Sequence, residues 1–290
     1  MMSSRKKFFI PLLVLVLLIL VSAVSGFKFN VNSGACMYTE NTVCSYASVN
    51  GLDMYYEIHG QTKGQPPLVL LHGQFATGGM FFNILPELVK RRQVIIIEQQ
   101  GHGHTADIDR PLRSSHMAHD TAELLREIGV EQADIFGYSE GGSIALQLAV
   151  HHPEMVHSLV LASAVYDMDG YKPEIIDQVI NPSVHFLPPI IRESYIRVAP
   201  DPNGLDKLVQ KSAEMAEHPE NLRSEQLEDM KVSSLVMIGD RDIIRHNHAE
   251  EMARLLGTEL IVVSGDHASY IVNHPEELLS HLTSFLMKND

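Results

Sequence analysis

Six short, continuously apolar runs recur along the chain, and they limit its fold more than any other feature. They are Leu68–Leu71, Val94–Ile97, Ile135–Phe136, Leu159–Leu161, Leu235–Ile238 and Leu260–Val263. A strand with one face in water alternates apolar and polar residues; a run without alternation belongs to a strand covered on both faces. Between the runs lie segments with helical spacing, near 80–90, 116–128, 140–151, 248–256 and 275–287, the second carrying Leu124, Leu125 and Ile128 on one stripe. This alternation predicts an α/β fold: a mostly parallel central sheet with helices on both faces. At its start, Asn50-Gly51 separates two strand-like segments, 45–49 and 52–58, and such a pair is a strong hairpin signal because both residues tolerate positive φ. With 45% apolar and 20% charged residues, a chain of 290 can fill such a core.

The rhythm is interrupted twice. Residues 167–231 offer no good strand but seven prolines (Pro173, Pro182, Pro188, Pro189, Pro200, Pro202 and Pro219) with short helical pieces between them. Such a stretch is too long for a plain connection, and inserts of this length are usually lids or binding elements. It is expected to form a helical cap, leaving 45–166 and 232–290 as the core. The other interruption is N-terminal. Arg5, Lys6 and Lys7 precede an apolar run from Phe8 to Val21 and the small residues Ser22-Ala23-Val24-Ser25-Gly26. That layout reads as a signal peptide over 1–25, with an uncleaved anchor as the alternative, so the protein is expected to be exported, periplasmic or secreted, with membrane contact only through this segment. Residues 26–44 then form a linker. In an oxidising compartment Cys36 and Cys44 would close a small loop; two unpaired thiols are the alternative. A formal charge of −14 leaves no footprint for phosphate backbones, so no nucleic-acid partner is expected.

Three separated positions carry the chemistry. Gly137-Tyr138-Ser139-Glu140-Gly141 follows one apolar run and opens a helical segment. A serine in that strand–turn–helix setting is presented on a sharp turn, where only small neighbours fit. Gly239-Asp240-Arg241-Asp242 follows another strand, so either aspartate can orient a histidine or cap the next helix. Val263-Ser264-Gly265-Asp266-His267 puts a histidine after the last strand.

Serine, acid and histidine in that order resemble the α/β-hydrolase superfamily, in its cap-bearing branch of esterases, carbon–carbon bond hydrolases and perhydrolases. Leu70-Leu71-His72-Gly73-Gln74 is similar to the family's oxyanion loop, and Gln99-Gln100-Gly101-His102-Gly103-His104-Thr105 to its Gly-His-Gly turn. The likeness runs from about residue 50 to the C-terminus. It implies Ser139 as nucleophile, His267 as general base and Asp242, rather than Asp240, as its orienter. It also implies the backbone N–H groups of Gln74 and Glu140 as oxyanion donors, a small acyl substrate, and no cofactor or metal. A serine at 139 argues against dehalogenases and epoxide hydrolases, which carry aspartate there. The lack of Gly-Gly-Pro-Gly after His72 weakens a proline-iminopeptidase reading.

The implied activity is cleavage of a carboxylic ester through an acyl-enzyme; a non-catalytic binding protein on the same fold is the alternative. Glu140 departs from the commoner Met, Leu or Gln. Facing the pocket, it would disfavour anionic substrates; facing solvent or a salt bridge, it would do nothing there. His102, His104 and Asp107 come near a binuclear zinc motif, but the aspartate is one place late. The pairs His116/His119 and His246/His248 read as surface residues.

Overall fold

The computed structural model describes residues 41–290. Its strands are β1 (Val43–Val49), β2 (Leu52–His59), β3 (Leu68–Leu71), β4 (Val94–Ile97), β5 (Ala133–Tyr138), β6 (Val156–Ala162), β7 (Ser233–Arg241) and β8 (Leu260–Asp266). Its α-helices are α1 (Leu85–Leu88), α2 (Ser114–Glu127), α3 (Glu140–His151), α4 (Ile176–Ile180), α5 (Pro189–Val198), α6 (Leu205–Glu217), α7 (Ser224–Glu228), α8 (His246–Leu255), α9 (Ser269–Val272) and α10 (Glu276–Asn289). One eight-stranded sheet runs in the order β1-β2-β4-β3-β5-β6-β7-β8. The β1–β2 and β2–β4 pairs are antiparallel and the rest parallel. This is the expected mostly parallel sheet. Asn50 (φ 50°) and Gly51 (φ 85°) make the tight turn of the β1–β2 hairpin.

The unbroken apolar runs now have a physical reason. Side chains alternate across the sheet, and both faces are covered. Val69, Leu71, Ile95, Ile97, Ile135 and Leu161 enter one core with α2, α3 and α8. Leu68, Leu70, Val94, Ile96, Phe136 and Val160 enter the other with α1, α9 and α10. Leaving β6, the chain makes the helical insertion α4–α7 before it returns as β7. The insertion is anchored to the first core by Tyr195, Leu205, Leu208, Val209, Leu222 and Leu227.

The N-terminal expectations fare differently. Residues 1–25 and Cys36 lie outside the described residues, while Cys44 in β1 is disulfide-bonded. Membrane contact and anchoring through an N-terminal helix are corrected: among the described residues no helix is long and apolar enough to cross a membrane. The longest helices there, α2 and α10, have 14 residues, against roughly 20 for a span.

Candidate active site

The strand order reverses around β3, whose neighbours are β4 and β5. Loops beyond the carboxyl ends of parallel strands diverge at such a point and leave a crevice. Ser139 stands at the end of β5 with φ 54° and ψ −119°, outside the regions favoured by a residue with a side chain. Its backbone N–H donates to the Ala162 carbonyl at 2.9 Å, and its own carbonyl accepts from Gly142 N–H at 2.9 Å. The glycines make the turn fit. A methyl group added at Gly137 would lie 2.3 Å from the Gly141 carbonyl oxygen, and one at Gly141 2.2 Å from that of Leu71. No side chain survives such contacts, so the small flanking residues are a packing requirement of the turn.

His267 follows β8. Its Nε2 lies 3.1 Å from Ser139 Oγ and its Nδ1 2.7 Å from Asp242 Oδ1. A carboxylate can only accept, so Nδ1 carries the proton and Nε2 offers its lone pair to the serine hydroxyl. Asp242 is buried, and its carboxylate also accepts from the Ser163 hydroxyl, from Gly239 N–H at 3.2 Å and from Ile244 N–H at 3.1 Å. Burial alone would raise this carboxyl. The His267 imidazole and the donated hydrogen bonds outweigh it and hold Asp242 below its ordinary value. Asp240 faces elsewhere: it accepts from Gly265 N–H at 2.8 Å and pairs with Arg241. Of the two aspartates, only Asp242 meets the histidine.

Two neighbours left no mark in the sequence reading. Ser163 (φ 51°), just past β6, joins the Asp242 carboxylate to the Tyr270 hydroxyl, which lies 2.6 Å from its Oγ. Tyr138 donates from its hydroxyl to the His267 carbonyl at 2.9 Å, fixing the loop that carries the imidazole. A lone serine or tyrosine at a strand end is too common to signal such a role.

A cavity of about 100 Å³ opens beside Ser139. Gln74, after β3, and Glu140, the first residue of α3, line it together with Ser139. The first N–H groups of a helix have no partner inside it, and the Glu140 N–H is one of these. The Glu140 side chain is buried and burial raises its carboxyl to about 7. Met215 of the insertion also lines the cavity. Phe81 packs edge-on against Phe136 in the core, and Phe82 is exposed.

The histidines near the possible zinc motif go to different partners. His102 is buried against His72, with its Nδ1 2.9 Å from the Gln100 carbonyl, and burial lowers it to about 3. His104 pairs with Glu98, and Asp107 with Lys207 and Lys211. His248 corrects its surface reading: it is buried and stacked on Tyr166, and burial lowers it to about 4.

Residues 66–214, just over half of the chain, match the sequence profile of the α/β hydrolase fold. The chain belongs to this family. A proline iminopeptidase of Lactobacillus helveticus is 31% identical over 131 residues, 43% of this chain and 45% of that protein. A pimeloyl-[acyl-carrier protein] methyl ester esterase of Aeromonas hydrophila is 34% identical over 102 residues, 34% of this chain and 38% of that one. The match thus spans less than half the length of these curated relatives. Among solved structures, a bacterial membrane phospholipase A superposes with a TM-score of 0.71 at 23% identity, over 86% of each chain, and shares the α/β-hydrolase fold.

Proposed function

We propose that this protein is a serine hydrolase of small carboxylic esters or related acyl compounds, with Ser139 as nucleophile, His267 as general base and Asp242 as its orienter. The observation that carries the reading is the unbroken line from Asp242 through His267 to Ser139, beside a cavity. Ser139 Oγ attacks the acyl carbon while His267 Nε2 takes the hydroxyl proton. The carbonyl electron pair moves onto oxygen, and that oxyanion rests on the N–H groups of Gln74 and Glu140. When the intermediate collapses, the alcohol leaves with the proton from Nε2, and an acyl-serine remains. Water then attacks it with the same histidine as base, releasing the acid and restoring the hydroxyl. Asp242 stays ionised throughout and stabilises the imidazolium.

The relatives lend support, since the iminopeptidase and the methyl ester esterase are by name hydrolases at an acyl carbon. The test is turnover of a short-chain p-nitrophenyl ester together with labelling by a fluorophosphonate. Turnover and labelling should both vanish in Ser139→Ala, with a rate loss of roughly 10⁴ or more. Turnover that survives the change overturns the assignment. A folded wild-type protein that neither turns over ester nor takes the label is a binding protein instead.

A further inference from the structure

Among the described residues, the cavity beside Ser139 is lined by three acidic ones, Glu140, Asp167 and Glu220, and by no lysine or arginine. Two of the three are engaged. Glu220 accepts from the Ser115 N–H at 2.8 Å and the Ser115 hydroxyl at 2.6 Å. Asp167 accepts from the Asp169 N–H at 2.7 Å, capping the short 3₁₀ turn that follows it. Glu140 is different. It is only 9% exposed, and its Oε1 has no hydrogen-bond partner. From the insertion, Ser212 on α6 lines the same cavity, is 1% exposed, and its hydroxyl likewise has none. Buried polar atoms without partners are costly, and in a ligand cavity the bound molecule is what completes them.

We propose that Glu140 and Ser212 form a recognition site for a protonated amine on the substrate, close to the scissile carbonyl. This deepens, and rests on, the hydrolase reading above. The substrate class then becomes amine-bearing esters or amides. An anionic substrate group would meet three carboxylates and no basic residue. A neutral hydroxyl would satisfy one oxygen but leave the buried charge unbalanced. An ammonium brings three donors and a positive charge, and both the Glu140 carboxylate and the Ser212 hydroxyl oxygen accept from it. Among the described residues no group of three or more potential metal ligands gathers in one place, here or elsewhere.

The same placement has a kinetic consequence. Glu140 adjoins Ser139 in the chain, and its N–H is one of the two proposed oxyanion donors. An ionised carboxylate there opposes the negative charge that develops on the acyl oxygen. A bound ammonium neutralises that carboxylate and removes the opposition. Recognition and rate acceleration therefore come from one contact.

The test compares matched esters in which an ammonium, a methyl or a carboxylate occupies the same position, once on the acyl side and once on the alcohol side. In the wild type, kcat/KM for the ammonium ester of at least one series should exceed that for its methyl isostere by about tenfold or more. The carboxylate ester should be the poorest. Glu140→Gln should bring the ammonium-to-methyl ratio to within about twofold of one, and Ser212→Ala should lower it about threefold. Because the ratio is taken within each protein, a general loss of rate cancels, and the wild-type ratio depends on no variant folding. A wild-type ratio near one in both series, or one that Glu140→Gln leaves intact, overturns the proposal. Calorimetry with Ser139→Ala separates it from the hydrolase reading. If no ester is turned over, about tenfold tighter binding of the ammonium ester, abolished by adding Glu140→Gln, upholds the recognition site alone. Equal binding of the two esters removes it.

Discussion

Asp242 and Glu140 are both buried carboxylates near Ser139, yet their surroundings are opposite. Asp242 lies where the loops after β6, β7 and β8 converge, and it accepts from His267, Ser163, Gly239 and Ile244. Glu140 lies on the cavity wall with Ser212 and Met215 of the insertion, and among the described residues no donor reaches its Oε1. Asp242 is held below its ordinary value and Glu140 is raised to about 7. Burial is common to both, so the partners make the difference. A carboxylate saturated with donors is fixed and stays charged, which suits a group that must orient an imidazole. One without donors keeps its capacity for an incoming molecule.

The largest effect that would break this contrast belongs to the saturated acid. Asp242→Asn should lower kcat by roughly 10⁴, since an amide cannot hold His267 in the required tautomer. Asp240→Asn, two positions away, should change kcat less than about twofold, because that side chain holds the Gly265 N–H and Arg241 and does not touch His267. Similar losses from both would mean that the loop, and not the contact with His267, is what matters.

Next comes Glu140, read through stability. Its folded value, about 7, lies above the ordinary 4.5, so between these pH values the folded state holds a proton that the unfolded chain has released. Its contribution is fully present below about 4.5 and is lost as pH rises to about 7. Glu140→Gln does not titrate. Its stability relative to wild type should therefore rise over that window, by up to about 3 kcal/mol, in urea unfolding at a series of pH values. A constant difference from pH 4 to 8 would show that Glu140 is already partnered in solution.

The smallest effect sharpens the role of Ser163. Removing its hydroxyl takes one donor from Asp242 while His267 and two backbone N–H groups remain. Ser163→Ala should cost about tenfold in kcat with KM nearly unchanged. Its pH–rate profile should lose activity at a higher pH on the acid side, because Asp242 then protonates more readily. Ser163→Thr, which keeps the hydroxyl, should restore much of the profile.

Much of the fold was legible because the strands are covered on both faces, and only uninterrupted apolar runs suit that position. The hairpin was legible from Asn50-Gly51, whose backbone angles few other residues adopt. Ser139 was legible because its turn excludes side chains at 137 and 141, leaving a pattern that chance seldom places between a strand and a helix. The acid was ambiguous for a local reason. β7 runs on through Asp240 and Arg241 with a register shift against β8. Which aspartate clears the strand end therefore depends on a bulge, and no pattern of residue types announces a bulge. Ser163 and Tyr138 were invisible for a broader reason. Each acts through a partner far away in the chain, as with Ser163 and Tyr270, 107 positions apart. The insertion was recognised by its prolines and missing strands, but Met215 could be placed on the cavity and Phe186 in the open only once its helices were packed.

The position of β8 at the edge of the sheet has one more consequence. Among the described residues it pairs with β7 alone, and His267, whose Nε2 lies beside Ser139 Oγ from 128 residues away, comes directly after it. Edge strands are among the first parts of a sheet to open, through local excursions that leave the centre intact. Each such opening withdraws His267 without unfolding the molecule. The free energy of opening β8, measurable by amide exchange on residues 260–266, thus sets the fraction of folded molecules that hold an assembled site. Warming should lower this active fraction before the protein melts.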